Sequence, residues 1–312
     1  MYSFVYQIYF ILKRIEKRRK EQKKVSSRLV TFLLGHLEAY YNVFWKRWII
    51  SHPSTQNYLN KKPRREKIVV SLTTYPRRID TIWMTIETLL RQSVKPDAVI
   101  LWLAKEQFDG LNSLPESLLR LQAKGLTIRF CDDLRSHKKY YYALQECQHD
   151  LVVLADDDMF YPRDTIQKLL RLHKQNPKDI CCMTGQVIEL EESTLPSQWR
   201  NPLLRETHWQ HTDKIQVFTG SGTLIPPQAL PEEAFNRENI RKLCLHADDL
   251  WITFMAHRNG TKVSTLRHWR AFPVTIYGTE VGSLYYINAG EGENQNDVQW
   301  QKLLDYYGET LC

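Results

Sequence analysis

From Lys67 to Ala155 the chain alternates short β-prone runs with stretches of helical spacing, and that alternation limits its fold more than any other feature. Lys67–Leu72, Ala98–Leu103, Leu126–Phe130 and Leu151–Ala155 read as strands. Between them Asp80–Arg91, Pro115–Lys124 and His137–Cys147 read as helices. A repeated unit of this kind implies a mainly parallel sheet with helices on both faces, and ligands gather at the carboxyl ends of its strands. Polar clusters stand at those ends: Thr73 to Arg77 after the first strand, Asp132 and Asp133 after the third, Asp156 to Asp158 after the fourth. No GxGxxG or GxxxxGK[ST] pattern occurs, so neither a dinucleotide fingerprint nor a phosphate loop is present.

The end of the fourth strand carries the strongest chemical signal. Leu151 to Ala155 is apolar and runs directly into three aspartates, then into Met159-Phe160-Tyr161-Pro162 and a new helix. Two carboxylates separated by one residue at a strand end can converge on a hard cation, which prefers carboxylate and phosphate oxygens together. Helix capping accounts for at most one of the three aspartates, because one residue fills an N-cap. Clustering the others costs mutual repulsion unless a cation is present. A bound Mg²⁺ or Mn²⁺ would neutralise a departing diphosphate.

Charge is distributed unevenly. Residues 1–67 hold 16 Lys and Arg against 4 Asp and Glu, a net +12, whereas residues 68–312 hold 27 against 31, a net −4. A nucleic-acid enzyme would spread its cations along the catalytic groove, so no nucleic-acid partner is expected. Residues 1–50 instead offer a surface for an anionic membrane. Phe4, Ile8, Ile11, Leu12 and Ile15 recur at helical spacing and lead into the basic Lys13–Lys24 run, which reads as an amphipathic helix. A second stripe, Leu33, Leu37, Tyr41, Phe44 and Trp48, favours packing on a neighbouring domain over the lipid boundary. Ser51–Arg65, with Pro53 and Pro63, reads as a linker. The expected organisation is a basic helical extension with linker over residues 1–66 and a catalytic domain over 67–312. Six cysteines without CxxC spacing suit a reducing cytoplasm, and Val5–Leu12 is too short to span a bilayer. The expected location is cytoplasmic, peripheral on the inner face of the cell membrane.

With these residues in place the chain resembles the GT-A glycosyltransferases near family 2, Leu151–Asp158 corresponding to their strand and DxD motif. The resemblance runs from about Lys67 to the C-terminus. It implies a Rossmann-like GT-A domain that transfers a sugar from a nucleotide-diphosphate sugar to a saccharide or lipid-linked acceptor, in surface polysaccharide assembly, with Mn²⁺ or Mg²⁺ as cofactor. It further implies that Asp156 meets the ribose or metal, that Asp158 binds the metal, and that Asp157 supports them. Thr74, Tyr75, Pro76 and Arg77 would build the nucleotide pocket, Arg78 being a less secure addition. Family 2 enzymes often carry an aspartate near the end of the second strand, and here Trp102-Leu103-Ala104-Lys105-Glu106 departs from that pattern. After the third strand Asp132 or Asp133 would meet the nucleoside, and a cation among Arg135, Lys138 and Lys139 the diphosphate, with Lys139 preferred.

Further along, Gly220-Ser221-Gly222 makes a glycine-rich turn that lets backbone approach a sugar, and it resembles the acceptor-side loop of such enzymes. His246-Ala247-Asp248-Asp249 opens a helix and resembles the ED or DD motif of inverting transferases. There one carboxylate takes the acceptor's proton, with Asp249 the first choice and Asp248 the second. His268 would complete the metal shell. Asn288 to Trp300 reads as a mobile lid over donor or acceptor. Two other classes compete. A strand ending in DxD also begins a phosphohydrolase of the haloacid-dehalogenase type, from which Met159 departs, and a non-catalytic carbohydrate- or nucleotide-binding module would retain the fold without turnover.

Overall fold

The computed structural model describes residues 8–9, 11–12, 15, 28–52, 57–188, 195–198, 211–266, 273–279, 288 and 293–308. His268 and most of the basic Phe4–Lys24 stretch lie outside them. A helix α1 (Arg28–Ser51) comes first, and the α/β alternation then proceeds as expected: β1 (Ile68–Thr73), α2 (Ile82–Leu90), β2 (Ala98–Ala104), α3 (Glu116–Leu119), β3 (Leu126–Cys131), α4 (Lys138–Glu146) and β4 (Leu151–Leu154). Next come β5 (Met159–Phe160), α5 (Thr165–Gln175), β6 (Ile180–Cys182), β7 (Gly185–Val187), β8 (Ile215–Val217), β9 (Thr223–Ile225), α6 (Arg237–Leu243), α7 (Asp248–Arg258), β10 (Val263–Thr265), β11 (Val274–Thr275) and α8 (Gln295–Tyr307).

Seven strands form the central sheet in the order β10-β6-β9-β4-β1-β2-β3. All neighbours are parallel except β9, which runs antiparallel between β4 and β6. Because successive strand residues face opposite sides, Val152 and Leu154 enter one core with Trp251 and Trp300. Val153 and Leu151 enter the other, with Leu89 and Ile166. Reversal of β9 has a direct consequence for function. Its start pairs with the end of β4, Thr223 opposite Leu154, so the turn at 219–222 is delivered to the edge from which Asp156 projects.

Two elements differ from their expected form. The 115–124 helix shrinks to the single turn of α3 followed by a 3₁₀ turn at Gln122–Lys124, which Gly125 ends at φ +115°, a left-handed value that favours glycine. The stretch expected to be a linker is tied down where it is described. Tyr58 N donates to Lys124 O at 2.9 Å, Asn60 N to Pro96 O at 2.7 Å, and Arg64 pairs with Asp97 at 3.0 Å. The Asp97 carboxylate also accepts from Asn60 Nδ2 at 2.6 Å and from Ile68 N at 2.8 Å, which ties this stretch to the start of β1. Helix α1 packs through Ile49, Trp45 and Tyr41, the last two meeting Phe160 at ring distances of 6.4 and 5.9 Å. The packing preferred for the second apolar stripe is therefore found for Tyr41 and Trp48, both set against the core.

Candidate active site

The end of β1, the turn before β9 and the first turns of α4 and α7 meet at the carboxyl end of β4. Asp157 is fixed first. Its carboxylate accepts from Thr74 Oγ1 and from Arg78 Nη1, each at 2.5 Å, and its carbonyl accepts from Thr85 Oγ1 at 2.9 Å. Arg78 also reaches Asp158 Oδ2 at 3.1 Å and donates through Nη2 to Thr279 O at 2.8 Å. One buried guanidinium thus joins the β1 end, the aspartate triplet and the segment at 273–279. It can do so because a 3₁₀ turn at Pro76–Arg78 rotates Arg78 inward and leaves Arg77 exposed. Tyr75 lies under that guanidinium at 5.5 Å, while Pro76 is exposed.

Asp156 is held differently. Its backbone N donates to the Tyr161 hydroxyl at 2.7 Å, and that hydroxyl donates to Gly220 O at 2.7 Å. Any Cβ added at Gly220 would collide with Asp156 Oδ2, so only glycine permits this approach. Gly222 sits at φ +102° and turns the chain into β9, and Ser221 Oγ closes the turn by donating to Phe218 O at 2.8 Å. Lys139, buried in the first turn of α4, binds the carboxylate of Asp156 and reaches Asp248 Oδ2 at 3.1 Å. A single ammonium therefore bridges the acidic ends of β4 and α7.

Neither aspartate of α7 caps its own helix. Asp249 Oδ1 accepts from Thr219 N at 2.9 Å and from Thr219 Oγ1 at 2.5 Å, and Asp248 accepts from the same hydroxyl at 3.2 Å. Val217 N donates to Thr253 Oγ1 at 3.0 Å, which docks β8 on α7 and keeps the 219–222 turn beside this pair. Asp132 and Asp133 lie further out. Asp132 pairs with Arg237 at 2.7 Å, and Asp133 with Lys138 at 2.7 Å. Arg237 stacks over Tyr141 and Tyr142, and Tyr142 stacks on Trp102 at 5.3 Å. The structure thus brings together Thr74, Lys139, Asp156 to Asp158, Gly220, Asp248 and Asp249, while Asp132 and Asp133 join neighbouring ion pairs. From the closing segment, Asn294 caps α8 by accepting from Asn296 N and Asp297 N, and Asn288 donates to His246 O at 2.9 Å.

Electrostatics distinguish the carboxylates. Burial, followed by the charge of Asp157 and against the pull of Arg78, pushes Asp158 up to about 7. Burial, then neighbouring Asp248, pushes Asp249 up to about 7. Burial would raise Asp248 too, but Lys139 outweighs it and holds that carboxyl below its ordinary value. Lys139 stays protonated because Asp156, Asp248 and Asp249 overcome its own burial, which acts to lower it. Among the described residues no three His, Cys, Asp or Glu side chains are grouped to hold a metal on their own. Asp158 Oδ1, however, is buried without a hydrogen-bond partner inside this acidic cluster. An orphaned carboxylate oxygen of that kind fits a cation whose other ligands arrive with a bound anion.

Sequence reasoning passed over Thr219 and Tyr161 and left Arg78 outside the core set. The neighbourhood of Thr219 to the glycine turn was the only signal for it, and which of Arg77 and Arg78 turns inward depends on a turn type that the sequence does not spell out.

Comparison with known family models identifies one family. The model described as glycosyl transferase family 2 matches residues 69–230, more than half of the 312 residues and including the aspartate triplet and the glycine turn, but ending before Asp248. No curated protein matches the chain. Similar solved structures include the 1–349 portion of S. aureus TarS with UDP, at 16% identity and TM-score 0.45, covering 66% of this chain and 59% of that one. The same portion with UDP-GlcNAc has 16% identity and TM-score 0.45, covering 66% and 57%. The mannosyltransferase PcManGT from Pyrobaculum calidifontis with GDP-Man and Mn²⁺ has 15% identity and TM-score 0.44, covering 86% and 76%. This chain spans less than two thirds of the TarS portion bound to UDP or to UDP-GlcNAc.

Proposed function

Since this chain belongs to glycosyl transferase family 2, we propose that it transfers a sugar from a nucleotide-diphosphate donor to a saccharide or lipid-linked acceptor, with inversion, in surface polysaccharide assembly. The observation that supports the reading is that Lys139 joins Asp156, the first DxD aspartate, to Asp248 of a second acidic pair. A donor-binding module alone has no need of the second pair. A haloacid-dehalogenase hydrolase would set a Ser or Thr as well as a Lys beside its nucleophilic aspartate, and the Asp156 carboxylate, though bound by Lys139, lies against a glycine turn.

Asp156 and Asp158 would hold Mn²⁺ or Mg²⁺, as would His268, which lies outside the described residues. Such an ion, when bound, supplies charge stabilisation to the departing diphosphate. Thr74 and Tyr75 border the expected nucleotide pocket, with Pro76 and Arg77 at its rim, and Lys139 can turn its ammonium from Asp156 toward donor phosphate. Asp249 is the base. Thr219 fixes its Oδ1, which leaves the second oxygen for the acceptor hydroxyl. As that hydroxyl oxygen forms its bond to the anomeric carbon, its proton passes to Asp249 and the bond to the diphosphate oxygen breaks, the electron pair leaving with the nucleoside diphosphate. A carboxyl at about 7 is well matched to taking a proton near neutrality. The Gly220–Gly222 turn lets the acceptor come close beside Asp156.

UDP, UDP-GlcNAc and GDP-Man are named with the TarS and PcManGT structures and set the donor panel. The test is release of nucleoside diphosphate from UDP- and GDP-sugars with and without Mn²⁺. Turnover of at least one donor, raised by Mn²⁺, is expected. Cleavage of simple phosphomonoesters, or donor binding without any release, would replace this reading with the hydrolase or the binding module.

A further inference from the structure

Helix α1 has two apolar faces, and among the described residues only one is covered. The inward face packs on the domain through Leu34, Tyr41, Trp45 and Ile49. On the other side Leu29, Phe32, Tyr40, Val43 and Ile50 are each more than half exposed. Their spacing of three, eight, three and seven residues keeps them on one side of an α-helix. A helix on the surface of a water-soluble domain would carry carboxylates and amides there. Here the exposed charges are Arg28, Lys46 and Arg47, and Glu38, the sole acid of the helix, is half-buried and accepts from the Tyr9 hydroxyl at 2.6 Å. Ile11 and Ile15, in the short described stretch before it, are also exposed.

We propose that this outward face of α1 seats in the headgroup region of an anionic lipid bilayer. Large apolar side chains beside Lys and Arg, with no exposed acid, match a boundary that is apolar below and negatively charged above. The net +12 of residues 1–67 against −4 for the remainder confines the attraction to this end of the molecule. A second copy of the chain is the poorer occupant, because pairing two such faces would set Arg28, Lys46 and Arg47 against their own duplicates. No helix among the described residues is long and apolar enough to cross a membrane, so the contact is one that lies along the surface.

The placement has a consequence for the site. The inward face of α1 stacks on Phe160, two residues beyond Asp158, and Asn42 bonds to Thr275 O at 3.1 Å and Tyr277 N at 2.7 Å. Lipid on the outer face would therefore lie about one helix diameter, ~10 Å, from the strand that follows the aspartate triplet. Given the transfer activity proposed above, the matching acceptor is one displayed at the lipid surface.

The experiment is co-sedimentation of the full chain with phosphatidylcholine vesicles, with and without phosphatidylserine, and light scattering without lipid. Wild type should pellet with phosphatidylserine vesicles, less so as salt rises. Phe32→Glu/Val43→Glu should lower that partition roughly tenfold or more with helix content unchanged by circular dichroism. Lys46→Glu/Arg47→Glu leaves the apolar residues in place and should weaken only the phosphatidylserine-dependent part. Undiminished pelleting of both variants, or a dimer that Phe32→Glu/Val43→Glu converts to monomer, would overturn the proposal. Asp249→Asn should pellet like wild type, so loss of turnover and loss of lipid binding report separately.

Discussion

Two acidic pairs belong to the site, Asp157 with Asp158 and Asp248 with Asp249, and the cation that each keeps sets them apart. Arg78 spreads its contacts over Asp157, Asp158 and the carbonyl of Thr279. Lys139 places one ammonium between Asp156 and Asp248. A planar guanidinium held at several points is a fixture, whereas an ammonium on a four-carbon stem is a charge that a rotamer can move. Under the proposed function the first pair would be the anchored wall of the donor site and the second the part that works on the acceptor.

The largest expected effect comes from Asp249→Asn, which should lower kcat by up to roughly 10⁴-fold while donor affinity, measured by calorimetry, stays near wild type. A near-normal kcat would move the base to Asp248 and reverse the comparison. Gly220→Ala should follow, at roughly 10²-fold in kcat/KM, since its methyl group must push Asp156 aside; unchanged kinetics would mean that Asp156 takes no part in donor binding. The two cations can then be set against each other. Arg78→Met should cost about 3–5 kcal/mol in denaturant unfolding, because Asp157 is left buried and uncompensated. Lys139→Met should show as a donor Kd weaker by roughly tenfold, and an unaltered Kd would make Lys139 as structural as Arg78.

The smallest effect is a displacement of the pH profile. Asp249 must be ionised to accept a proton and titrates at about 7, so kcat should rise with pH through that region. Asp248 is a cause of the upward shift after burial. Asp248→Asn should therefore move the acidic limb of kcat toward lower pH, and a limb that stays in place would separate the two groups.

The sequence displays one half of this architecture better than the other. Strands β1 to β4 have four to seven residues each and enough β-branched side chains to show themselves, which puts Thr74 and Asp156–Asp158 at strand ends. Beyond β4 the strands of the sheet have three residues, too few for an alternating pattern to separate from noise. The antiparallel insertion of β9 was therefore hidden, and with it the reason that Gly220 touches Asp156. Lys139 could be named from its place after β3, yet its bridge to Asp248 depends on α7 arriving from residues more than a hundred positions later. Over residues 57–64, within the expected linker, polar groups bond to Pro96, Asp97 and Lys124, partners no local pattern reveals.

The most direct test is calorimetric titration of UDP and GDP into the full chain, with and without Mn²⁺, beside Asp158→Asn of equal thermal stability. Binding of a nucleotide that Mn²⁺ strengthens in the wild type, and that Mn²⁺ leaves unchanged in Asp158→Asn, is the predicted result. Nucleotide binding indifferent to Mn²⁺ in both proteins would contradict the assignment of the acidic strand end to a cation-held diphosphate.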